Sequence, residues 1–512
     1  IMAKEVYGID LGTTYSCIAE ISELDKLPAV IKNSEELQTT ASVVYFDEFD
    51  APIVGGEAKR CMQQNPTRTV AFIKREMSNT SYSRTIGSQT ISPVKVSAMI
   101  LKKLVDDANL NREFRGKSAI KDVVITVPAY FGNTERELTK QAGEAAGLNV
   151  LALLNEPTAA ALSYGANKLE GKTFMVYDLG GGTFDVSIMR VAKGALVTLS
   201  TDGDHHLGGV DWDTEIVNYV LSNCCGVDER YEDIKYTKDG GTLILAAEQC
   251  KKLLSKNEES PMRFRYKSRM YTKSIKRSVF EELTSDLLQK TIDVVHHAIA
   301  ISTDRHATID EIILVGGSSY MPMVKNRLLK EFPGTKVNLD QFEPDLAVAK
   351  GAAIHAYNLA NPFMGAAGGV RIASDLGRRS YGIETHASVT KVQQISNIIL
   401  RTDPLVFEGT SSFCTSDEGQ KDVYIAISEN TSIDRIIPRN EGRRLFAQYI
   451  TWGYPVPKHT NITAKVKRGS DGIIHIEVEC QSKTVYFEIK PDNALSEQDI
   501  KNLKDELKRM QF

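Results

Sequence analysis

The sequence lacks the features that mark several whole classes of protein. No apolar run approaches the roughly 18 residues that a membrane-spanning helix needs. The first residues show no basic start and apolar core of the kind found in signal peptides. Basic charge is not in excess, because 62 Lys and Arg residues stand against 66 Asp and Glu, a net charge of -4. These absences predict a cytoplasmic protein with no membrane partner, and they disfavour a dedicated nucleic-acid binder.

Several catalytic and cofactor signatures are also missing. No Gly-x-Gly-x-x-Gly opens a helix after a strand, and no Gly-x-Ser-x-Gly elbow is present. The stretch GANKLEGKT at 165–173 has one residue too many for a phosphate-binding P-loop and precedes a strand. The histidine pairs at 205–206 and 296–297 have no second ligand at a zinc spacing. Dinucleotide, acyl-transfer, P-loop and zinc sites are therefore not supported.

Two turns of one pattern are present instead. Residues 6–16 read VYGIDLGTTYS, an apolar run that ends at Asp10 and continues into glycine and threonine. Residues 174–187, FMVYDLGGGTFDVS, repeat the pattern around Asp178. Because desolvating even an uncharged polar group costs roughly 2 to 7 kcal/mol, each aspartate is expected to be partnered or to face a ligand. The repeat suggests two duplicated lobes that face one another.

Turns of this composition suit phosphate groups. Small residues after a strand let backbone N–H groups approach an anion, and threonine hydroxyls add donors. An aspartate just before each turn can hold Mg2+ directly or through its water shell. A third glycine-rich turn, VGGSS at 315–319, could let a purine or ribose lie against the backbone. Together the three turns predict that a nucleoside triphosphate is held between two lobes.

The composition and the apolar periodicity of the sequence change after about residue 360. Before it, short apolar runs such as 123–127 and 312–315 alternate with helical patterns, one of which starts at Pro93, as in a layered α/β protein. Residues 361–371 have linker composition, and from about 380 to 490 the apolar period becomes two, which is typical of an all-β module. Ser496 with Asp499 then predicts the start of a final helix.

These motifs together resemble the seventy-kilodalton heat-shock chaperone family, the DnaK type. The matching stretches are GIDLGTTYS, IKREM, VPAYF, NEPTAAALSYG, DLGGGTFDVS, GDHHLGG, LVGGSSYMP and PDLAVAKGAA, which occur in order over the first 360 residues. The resemblance implies an actin-like two-lobed ATPase domain at 1–362, an interdomain linker at 363–379 and a β-sandwich substrate-binding domain at 380–494. Residues 495–512 would begin a helical lid whose remainder is missing after Phe512.

The resemblance assigns ATPase roles by position. The implied catalytic residues are Asp10, Lys74, Glu156, Asp178 and Thr183. The implied residues around Mg2+ are Asp10, Asp178 and Asp185. The implied nucleotide contacts are Gly12, Thr13, Thr14, Tyr15, Gly180, Gly181, Gly182, Thr183, Gly209, Glu248, Lys251, Lys252, Ser255, Gly316, Gly317, Ser318 and Asp345. Pro128 and Arg136 would act as a switch that transmits the presence of the γ-phosphate from the nucleotide site to the rest of the protein. For Lys74 and Glu156, the alternative is an ordinary surface ion pair.

The sequence departs from the family pattern in two places: beside the expected adenine base and in the linker. Tyr320 and Lys252 stand where the family usually has arginines on either side of the adenine, and arginine stacks on planar rings better than lysine. We therefore expect weaker nucleotide binding. The linker stretch RIASDLGRRS, 371–380, keeps only Ile372 and Leu376 as large apolar residues, so interdomain coupling is expected to be weak.

The β module is expected to bind extended, apolar segments of unfolded chains. The residues implied to line its pocket are Ile383, His386, Phe413, Ser416, Val423 and Ile425. For Phe413, Val423 and Ile425, ordinary sandwich core is an equally good interpretation.

The resemblance further implies ATP or ADP, Mg2+ and K+ as cofactors, and a J-domain cochaperone and a nucleotide-exchange factor as partners in a stress response. A nucleotide-sensing scaffold with little turnover is the alternative function, and a small-molecule kinase is disfavoured by the β module. The basic stretch 263–277 is interpreted as a half-exposed strand that offers a surface to an exchange partner, and nucleic acid is not expected there.

Overall fold

The computed structural model describes residues 3–79, 81–113, 116–304, 308–338, 343–362, 371–374, 379–386, 392–404, 406–469, 473–489 and 494–510. The chain forms two compact units. Unit 1 comprises Ile1–Pro128, Thr139–Arg371 and Leu495–Phe512, and unit 2 comprises Ala129–Leu138 and Ile372–Ala494. No helix in the described part of the chain is both long and apolar enough to cross a membrane.

The first large sheet of unit 1 is built around the strand that ends in Asp10. Its strands lie in the order Asn149–Asn155, Asp122–Val127, Tyr7–Asp10, Tyr15–Ile21 and Pro28–Ile31, and Thr40–Ala41 also pairs with Tyr15–Ile21. The strand Tyr7–Asp10 is antiparallel to the strand that follows it and parallel to Asp122–Val127. The predicted buried strand at 123–127 is confirmed, since Val123 to Val127 are all buried.

The second large sheet repeats this arrangement around the strand that ends beside Asp178. Its strands include, in order, Lys336–Asn338, Glu311–Val315, Thr173–Leu179, Phe184–Ala192 and Ala195–Asp204. The strand Thr173–Leu179 is antiparallel to the next strand along the chain and parallel to Glu311–Val315. Both sheets thus carry the same strand, turn and antiparallel strand, and each aspartate lies at the turn end of its strand.

Helices cover these sheets. Those of unit 1 are Gly56–Cys61, Pro93–Glu113, Glu156–Tyr164, Gly209–Val220, Tyr231–Ile234, Lys238–Leu254, Arg277–Leu283, Ser285–Ala300, Pro322–Glu331, Ala347–Ala360 and Glu497–Arg509, while Asn133–Ala145 is shared between the units. The smaller strand groups are Val43–Phe46 with Pro52–Val54 and Thr69–Ala71, Arg84–Ile86 with Gln89–Ile91, and Glu259–Tyr266 with Arg269–Lys276. The predicted starts at Pro93 and Ser496 are confirmed, the latter by a hydrogen bond from the Asp499 amide to the Ser496 hydroxyl.

Small residues let the helix Ala347–Ala360 lie directly on the first sheet. A Cβ atom added at Gly8 of the sheet would stand 2.1 Å from the Ala353 nitrogen. On the helix itself, one added at Gly351 would stand 1.7 Å from the Ala159 oxygen, which belongs to the neighbouring helix Glu156–Tyr164. Any larger side chain at either glycine would push the backbones apart. The helix backbone therefore packs directly against the strand that ends in Asp10.

Unit 2 contains two antiparallel sheets that share one apolar core. The first has the order Ile436–Pro438, Gln393–Ile399, Ser380–His386, Gln420–Asn430 and Arg443–Val456, and the second Phe407–Cys414, Asn461–Arg468, Ile474–Cys480 and Lys483–Glu488. Buried side chains from both sheets form a single cluster. The predicted all-β module is confirmed. A short strand, Arg371–Ser374, contains Ile372 of the predicted linker, whereas Leu376 lies outside the described residues.

Candidate functional site

A cleft of about 860 Å³ in unit 1 is lined by both repeated turns. Most of the residues predicted for catalysis, for Mg2+ or for nucleotide contact line it: Asp10, Gly12, Thr13, Thr14, Tyr15, Lys74, Glu156, Asp178, Gly180, Gly181, Thr183, Glu248, Lys251, Lys252, Ser255, Gly316, Gly317, Ser318 and Asp345. Gly182, Asp185 and Gly209 do not line the cleft. The long-range packing of the two sheets thus brings together residues that are up to 335 positions apart, from Asp10 to Asp345.

The two glycine turns approach each other so closely that side chains would clash. A Cβ atom at Gly181 would stand 1.7 Å from the Thr14 Oγ1 atom, and one at Gly182 would stand 2.3 Å from the Thr13 Cγ2 atom. Thr14 Oγ1 is itself buried and has no hydrogen-bond partner among the described residues. One uncommitted hydroxyl, that of Thr14, therefore lies where the two turns meet.

Buried carboxylates form one wall of the cleft. Asp10, at the end of its strand, is half-buried. Its carboxylate accepts a hydrogen bond of 3.2 Å from the Thr126 hydroxyl. Burial raises the pKa of Asp10 to about 7, with Glu156 adding to the effect and Lys74 opposing it. Burial and the neighbouring carboxylates also raise the pKa of Asp178 well above its usual range. Such a group of acids is costly without a nearby cation.

Lys74 provides the opposite charge in this wall. Its ammonium group contacts the Glu156 carboxylate at 2.5 Å, and both side chains are less than a tenth exposed. Burial lowers the pKa of Lys74, but the attraction of Glu156 and Asp10 outweighs burial and leaves that pKa raised. The alternative interpretation as a surface ion pair is therefore wrong, because the pair is buried inside the cleft.

Asp185 is the cross-strand partner of Asp178 and is 1% exposed. Side chains opposite one another in an antiparallel pair lie on the same face of the sheet, so Asp185 lies beside Asp178 on the neighbouring strand. Among the described residues, no group of three or more His, Cys, Asp or Glu side chains is arranged to hold a metal ion. Mg2+ does not need such a cage, because it commonly takes one or two carboxylates and keeps several waters.

The other end of the cleft is built from Lys251 and glycine-rich backbone. Lys251 Nζ donates a hydrogen bond of 2.7 Å to the Gly209 oxygen and pairs with Asp213 at 2.9 Å. Burial raises the pKa of Asp213 to about 6, with Lys251 opposing it. Gly316 has a φ of 81°, and a Cβ atom there would stand 2.4 Å from the Leu179 oxygen. The sequence predictions missed Asp213, whose part in the cleft depends on the helix that carries it.

Four residues of the cleft form a charged network, of which the sequence predictions named all but Lys59. Lys59 Nζ lies 2.8 Å from the Tyr15 hydroxyl and 2.6 Å from the Glu248 carboxylate. Lys252 pairs with Glu248 at 2.8 Å and lies 5.0 Å from the centre of the Tyr15 ring. Burial favours a higher pKa for Glu248, but the two lysines outweigh it and bring that pKa to about 2. Lys252 is thus engaged with Tyr15 and Glu248.

Tyr320, the other departure from the family pattern, also lines the cleft. Its hydroxyl donates a long hydrogen bond of 3.4 Å to the Asp345 carboxylate. Burial and then Asp345 raise the pKa of Tyr320 to about 12. A neutral tyrosine ring therefore stands at the position where the family resemblance led us to expect an arginine.

Pro128 and Arg136, the two residues predicted to respond to the γ-phosphate, are not among the residues that line the cleft. Pro128 ends a segment of unit 1, whereas Arg136 belongs to the segment of unit 2 that comprises Ala129–Leu138. Arg136 is 2% exposed, and its Nε atom donates a hydrogen bond of 3.0 Å to the Phe131 oxygen. Within unit 2, Asn133 accepts a hydrogen bond from the Ile474 amide at 2.7 Å and donates one to the Ile489 oxygen at 3.1 Å.

The residues predicted to bind peptide are distributed over unit 2. Ile383 and Ile425 are fully buried in its core, and Phe413 and Val423 are partly buried against that core. Ser416 is exposed in a turn, where its amide donates a hydrogen bond to Gln420 at 3.0 Å. The side chain of His386 lies outside the described residues.

Comparison with known proteins gives one consistent result. The family model described as Hsp70 protein matches residues 6–87 and 79–511. A chaperone protein DnaK from Thermosipho melanesiensis is 36% identical over 517 residues, which cover 98% of this chain and 83% of that protein. Chaperone protein DnaK from Thermotoga neapolitana and from Thermotoga maritima are each 37% identical over 518 residues, with the same two coverages.

Proposed function

The chain belongs to the Hsp70 family, and from that membership we propose that it is an ATP-dependent molecular chaperone. It would bind extended apolar segments of unfolded polypeptides, with ATP hydrolysis and nucleotide exchange controlling that binding. The observation that carries the proposal is the cleft in which two glycine turns meet beside buried carboxylates and a buried lysine. We propose an actin-like two-lobed ATPase domain at 1–362, a linker, a substrate-binding sandwich at 380–494 and the start of a lid.

The phosphate groups of ATP suit the meeting point of the two turns. Because Gly181 and Gly182 carry no side chains where the turns meet, the backbone of this turn could approach an anion there. The buried Thr14 hydroxyl, which has no partner among the described residues, would donate to a phosphate oxygen, and Thr13 and Thr183 would add further hydroxyl contacts. Thr183 would lie near the γ-phosphoryl group.

The carboxylate wall suits Mg2+. Asp10 and Asp178 would hold the ion directly or through water, and Asp185 would support them from the neighbouring strand. The raised pKa values of Asp10 and Asp178 support this assignment, because a cation would relieve the cost of keeping both ionised. The ion would supply positive charge that neutralises the phosphates. K+ is proposed as a further cation from family membership alone.

Lys74 and Glu156 would act at the reacting phosphoryl group. The Lys74 ammonium would stand where negative charge grows as water attacks the γ-phosphorus and the bond to the bridging oxygen breaks. Glu156 holds Lys74 in place through their 2.5 Å contact, and together with Asp178 it would orient the attacking water. Because all three groups are buried, their charges act in a region of low dielectric, where they interact more strongly than in water.

At the other end of the cleft, Lys251, Ser255, Gly316 to Ser318 and Asp345 would surround the adenosine. Unit 2 would bind the client polypeptide, and Pro128 and Arg136 would pass on the state of the γ-phosphate. A J-domain cochaperone and a nucleotide-exchange factor are the partners that the family implies. With Lys252 engaged at Tyr15 and with Tyr320 in place of an arginine, nucleotide affinity would be lower than is usual in the family.

Steady-state ATP hydrolysis with and without an unfolded peptide and a J-domain protein tests the proposal. We expect hydrolysis that requires Mg2+ and that responds to both additions. Calorimetry of ATP binding is the companion measurement. Absence of ATP binding in the presence of Mg2+ would contradict the ATPase role, whereas binding without phosphate release would indicate a nucleotide-sensing scaffold.

A further inference from the structure

The second glycine turn, residues 180–182, has each of its three carbonyl oxygens fixed by a donor from elsewhere in unit 1. The first two oxygens accept hydrogen bonds from the backbone amides of Gly209 at 2.9 Å and Val210 at 2.8 Å. The third oxygen accepts a hydrogen bond from Arg75, whose Nε atom lies 2.7 Å away. Two donors therefore belong to the helix that follows the turn in space, and the third is a side chain from a distant part of the chain.

Fixing these carbonyl groups also fixes the amides that follow them. In a planar trans peptide the N–H group points away from the C=O group. The hydrogen bond from Arg75 to the Gly182 oxygen therefore sets the direction of the Thr183 amide, which points away from the guanidinium. Thr183 lines the cleft, whereas Gly182 and Arg75 do not. Any effect of Arg75 on a bound nucleotide thus passes through the backbone of the turn.

Arg75 is itself held in place by a carboxylate. Its Nη2 and Nη1 atoms donate to the two oxygens of Asp211 at 2.6 Å and 3.4 Å, a forked arrangement that lysine cannot reproduce. Asp211 also accepts a hydrogen bond of 2.7 Å from the Gly208 amide. A Cβ atom at Gly208 would stand 2.5 Å from the carbonyl carbon of Gly182, so the start of the helix Gly209–Val220 lies directly against the turn.

Arg75 and Lys74 leave the same short helical turn, Ile73–Glu76, towards different partners. Lys74 pairs with Glu156 inside the cleft, whereas Arg75 reaches the second glycine turn from outside the cleft lining. One short segment therefore fixes both a buried cation of the cleft and a backbone amide of the turn.

We propose that Arg75 is a positioning residue for the γ-phosphoryl group of ATP. It holds the peptide between Gly182 and Thr183 so that the Thr183 amide faces the cleft and donates to a γ-phosphate oxygen, and Asp211 anchors its guanidinium. This inference rests on the proposed ATPase function and adds to it a residue that favours ATP over ADP. Because ADP lacks the γ-phosphate, an amide aimed at that group contributes to the binding of ATP alone.

Calorimetric titration of the full chain in the presence of Mg2+ tests this role. The ligands are ADP and the β,γ-imido analogue of ATP, which keeps the γ-phosphate and is not hydrolysed. Arg75→Lys keeps the positive charge and removes the fork, and Asp211→Asn weakens the anchor while keeping an oxygen acceptor.

Arg84→Lys is the matched control. Arg84 also donates to backbone oxygens, those of Thr69 at 2.9 Å and Thr67 at 2.6 Å, and it does not line the cleft. Thermal melting shows whether each variant is folded.

A loss confined to the triphosphate would support the proposal. We expect Arg75→Lys to bind the ATP analogue about tenfold more weakly than the unaltered chain, the equivalent of one hydrogen bond to a charged group, and to bind ADP within about twofold. Asp211→Asn should show the same triphosphate-specific loss at a smaller size, about threefold. Arg84→Lys should bind both nucleotides as the unaltered chain does.

Two results from folded Arg75→Lys would overturn the proposal. An equal loss of affinity for both nucleotides would mean that Arg75 only stabilises the turn, and unchanged affinity for the ATP analogue would mean that it does not direct the Thr183 amide. If Arg75→Lys does not fold, Asp211→Asn decides by the same two criteria. Absence of binding of either nucleotide by the unaltered chain would overturn the ATPase proposal and this inference with it, and that failure is visible before any residue is changed.

Discussion

Lys74 is a buried cation whose neighbours are all acidic. Glu156 contacts it directly, Asp10 and Asp178 line the cleft with it, and Asp185 is the cross-strand partner of Asp178. Without Lys74 these carboxylates would repel one another in a region of low dielectric. A single side chain therefore both offsets part of the negative charge around it and, in the function we propose, acts on the phosphoryl group.

We expect Lys74→Ala to lower the rate of ATP hydrolysis by roughly 100- to 1,000-fold, because it removes preorganised positive charge from the site of phosphoryl transfer. It should also destabilise the fold, since removing one partner of a buried pair costs roughly 3 to 5 kcal/mol. Single-turnover hydrolysis and denaturant unfolding are the measurements. Lys32→Ala, in an exposed pair with Glu36, is the control. Hydrolysis at the normal rate by folded Lys74→Ala would contradict the assigned role.

His355 is a half-buried histidine in the helix Ala347–Ala360, and burial lowers its pKa from 6.5 to about 4. Between these values the unfolded chain binds a proton that the folded chain excludes. Its contribution to stability is therefore complete above pH 6.5 and is lost as the pH falls towards 4.

His355→Gln, which cannot titrate, should consequently show a shallower loss of melting temperature between pH 7 and pH 5 than the unaltered chain. Thermal unfolding at a series of pH values measures this difference. Parallel pH profiles for the two proteins would show that His355 does not contribute to the acid sensitivity of the fold.

At the scale of elements, glycines in two different turns have different surroundings: Gly181 lies in the second Asp-Leu-Gly turn and Gly317 in the turn at 315–319. A Cβ atom at Gly181 would collide with Thr14, whereas one at Gly317 would meet nothing within 4 Å. The first glycine is needed so that the turns can meet. The second leaves open space in the cleft, where we propose that the adenosine lies.

Gly181→Ala should lower stability by roughly 1 to 3 kcal/mol through overpacking and should also weaken ATP binding. Gly317→Ala should leave the melting temperature unchanged and still weaken ATP binding, because the added methyl group would take space next to the nucleoside. Calorimetry of ATP binding alongside thermal melting separates these effects. Normal ATP affinity in Gly317→Ala would place the adenosine elsewhere.

Most of the basic stretch 263–277 lies in the hairpin formed by Glu259–Tyr266 and Arg269–Lys276. Along Glu259–Tyr266 every second residue is buried, so the predicted half-exposed strand is confirmed. Phe264 and Tyr266 are at most 2% exposed, which leaves no aromatic face on this strand for base stacking, while Arg263 and Arg265 are exposed. Its use by an exchange partner stays a prediction.

At the scale of the whole molecule, the linker sets the expected coupling between nucleotide and client. Docking of a linker depends on apolar area removed from water, at about 25 cal/mol per Å². With Ile372 and Leu376 as the only large apolar residues of its stretch 371–380, that part of the linker has little such area to bury. We expect an unfolded peptide to raise steady-state ATP turnover only about twofold. The measurement is phosphate release with and without peptide, and a stimulation of many fold would contradict this expectation.

Sequence patterns predicted the local parts of the protein. The Asp-Leu-Gly turns, the helix starts at Pro93 and Ser496, and the period-two strands of unit 2 depend on the conformational preferences and polarity of neighbouring residues. Most of the residues that the family resemblance assigned to the nucleotide line one cleft, where long-range packing brings them together. The family resemblance added residues that no local pattern could supply, such as Lys74 and Glu156.

The tertiary structure decided which charges are buried together. Lys74 and Glu156 lie 82 positions apart, and only packing made their contact a buried pair. Packing also placed Asp213 in the cleft, directed Lys252 to Tyr15 and assigned the segment Ala129–Leu138 to unit 2. Backbone conformation depends on nearest neighbours, so the sequence by itself determined the turns. Burial and long-range electrostatics depend on every element that packs around a group, so only the folded chain determines them.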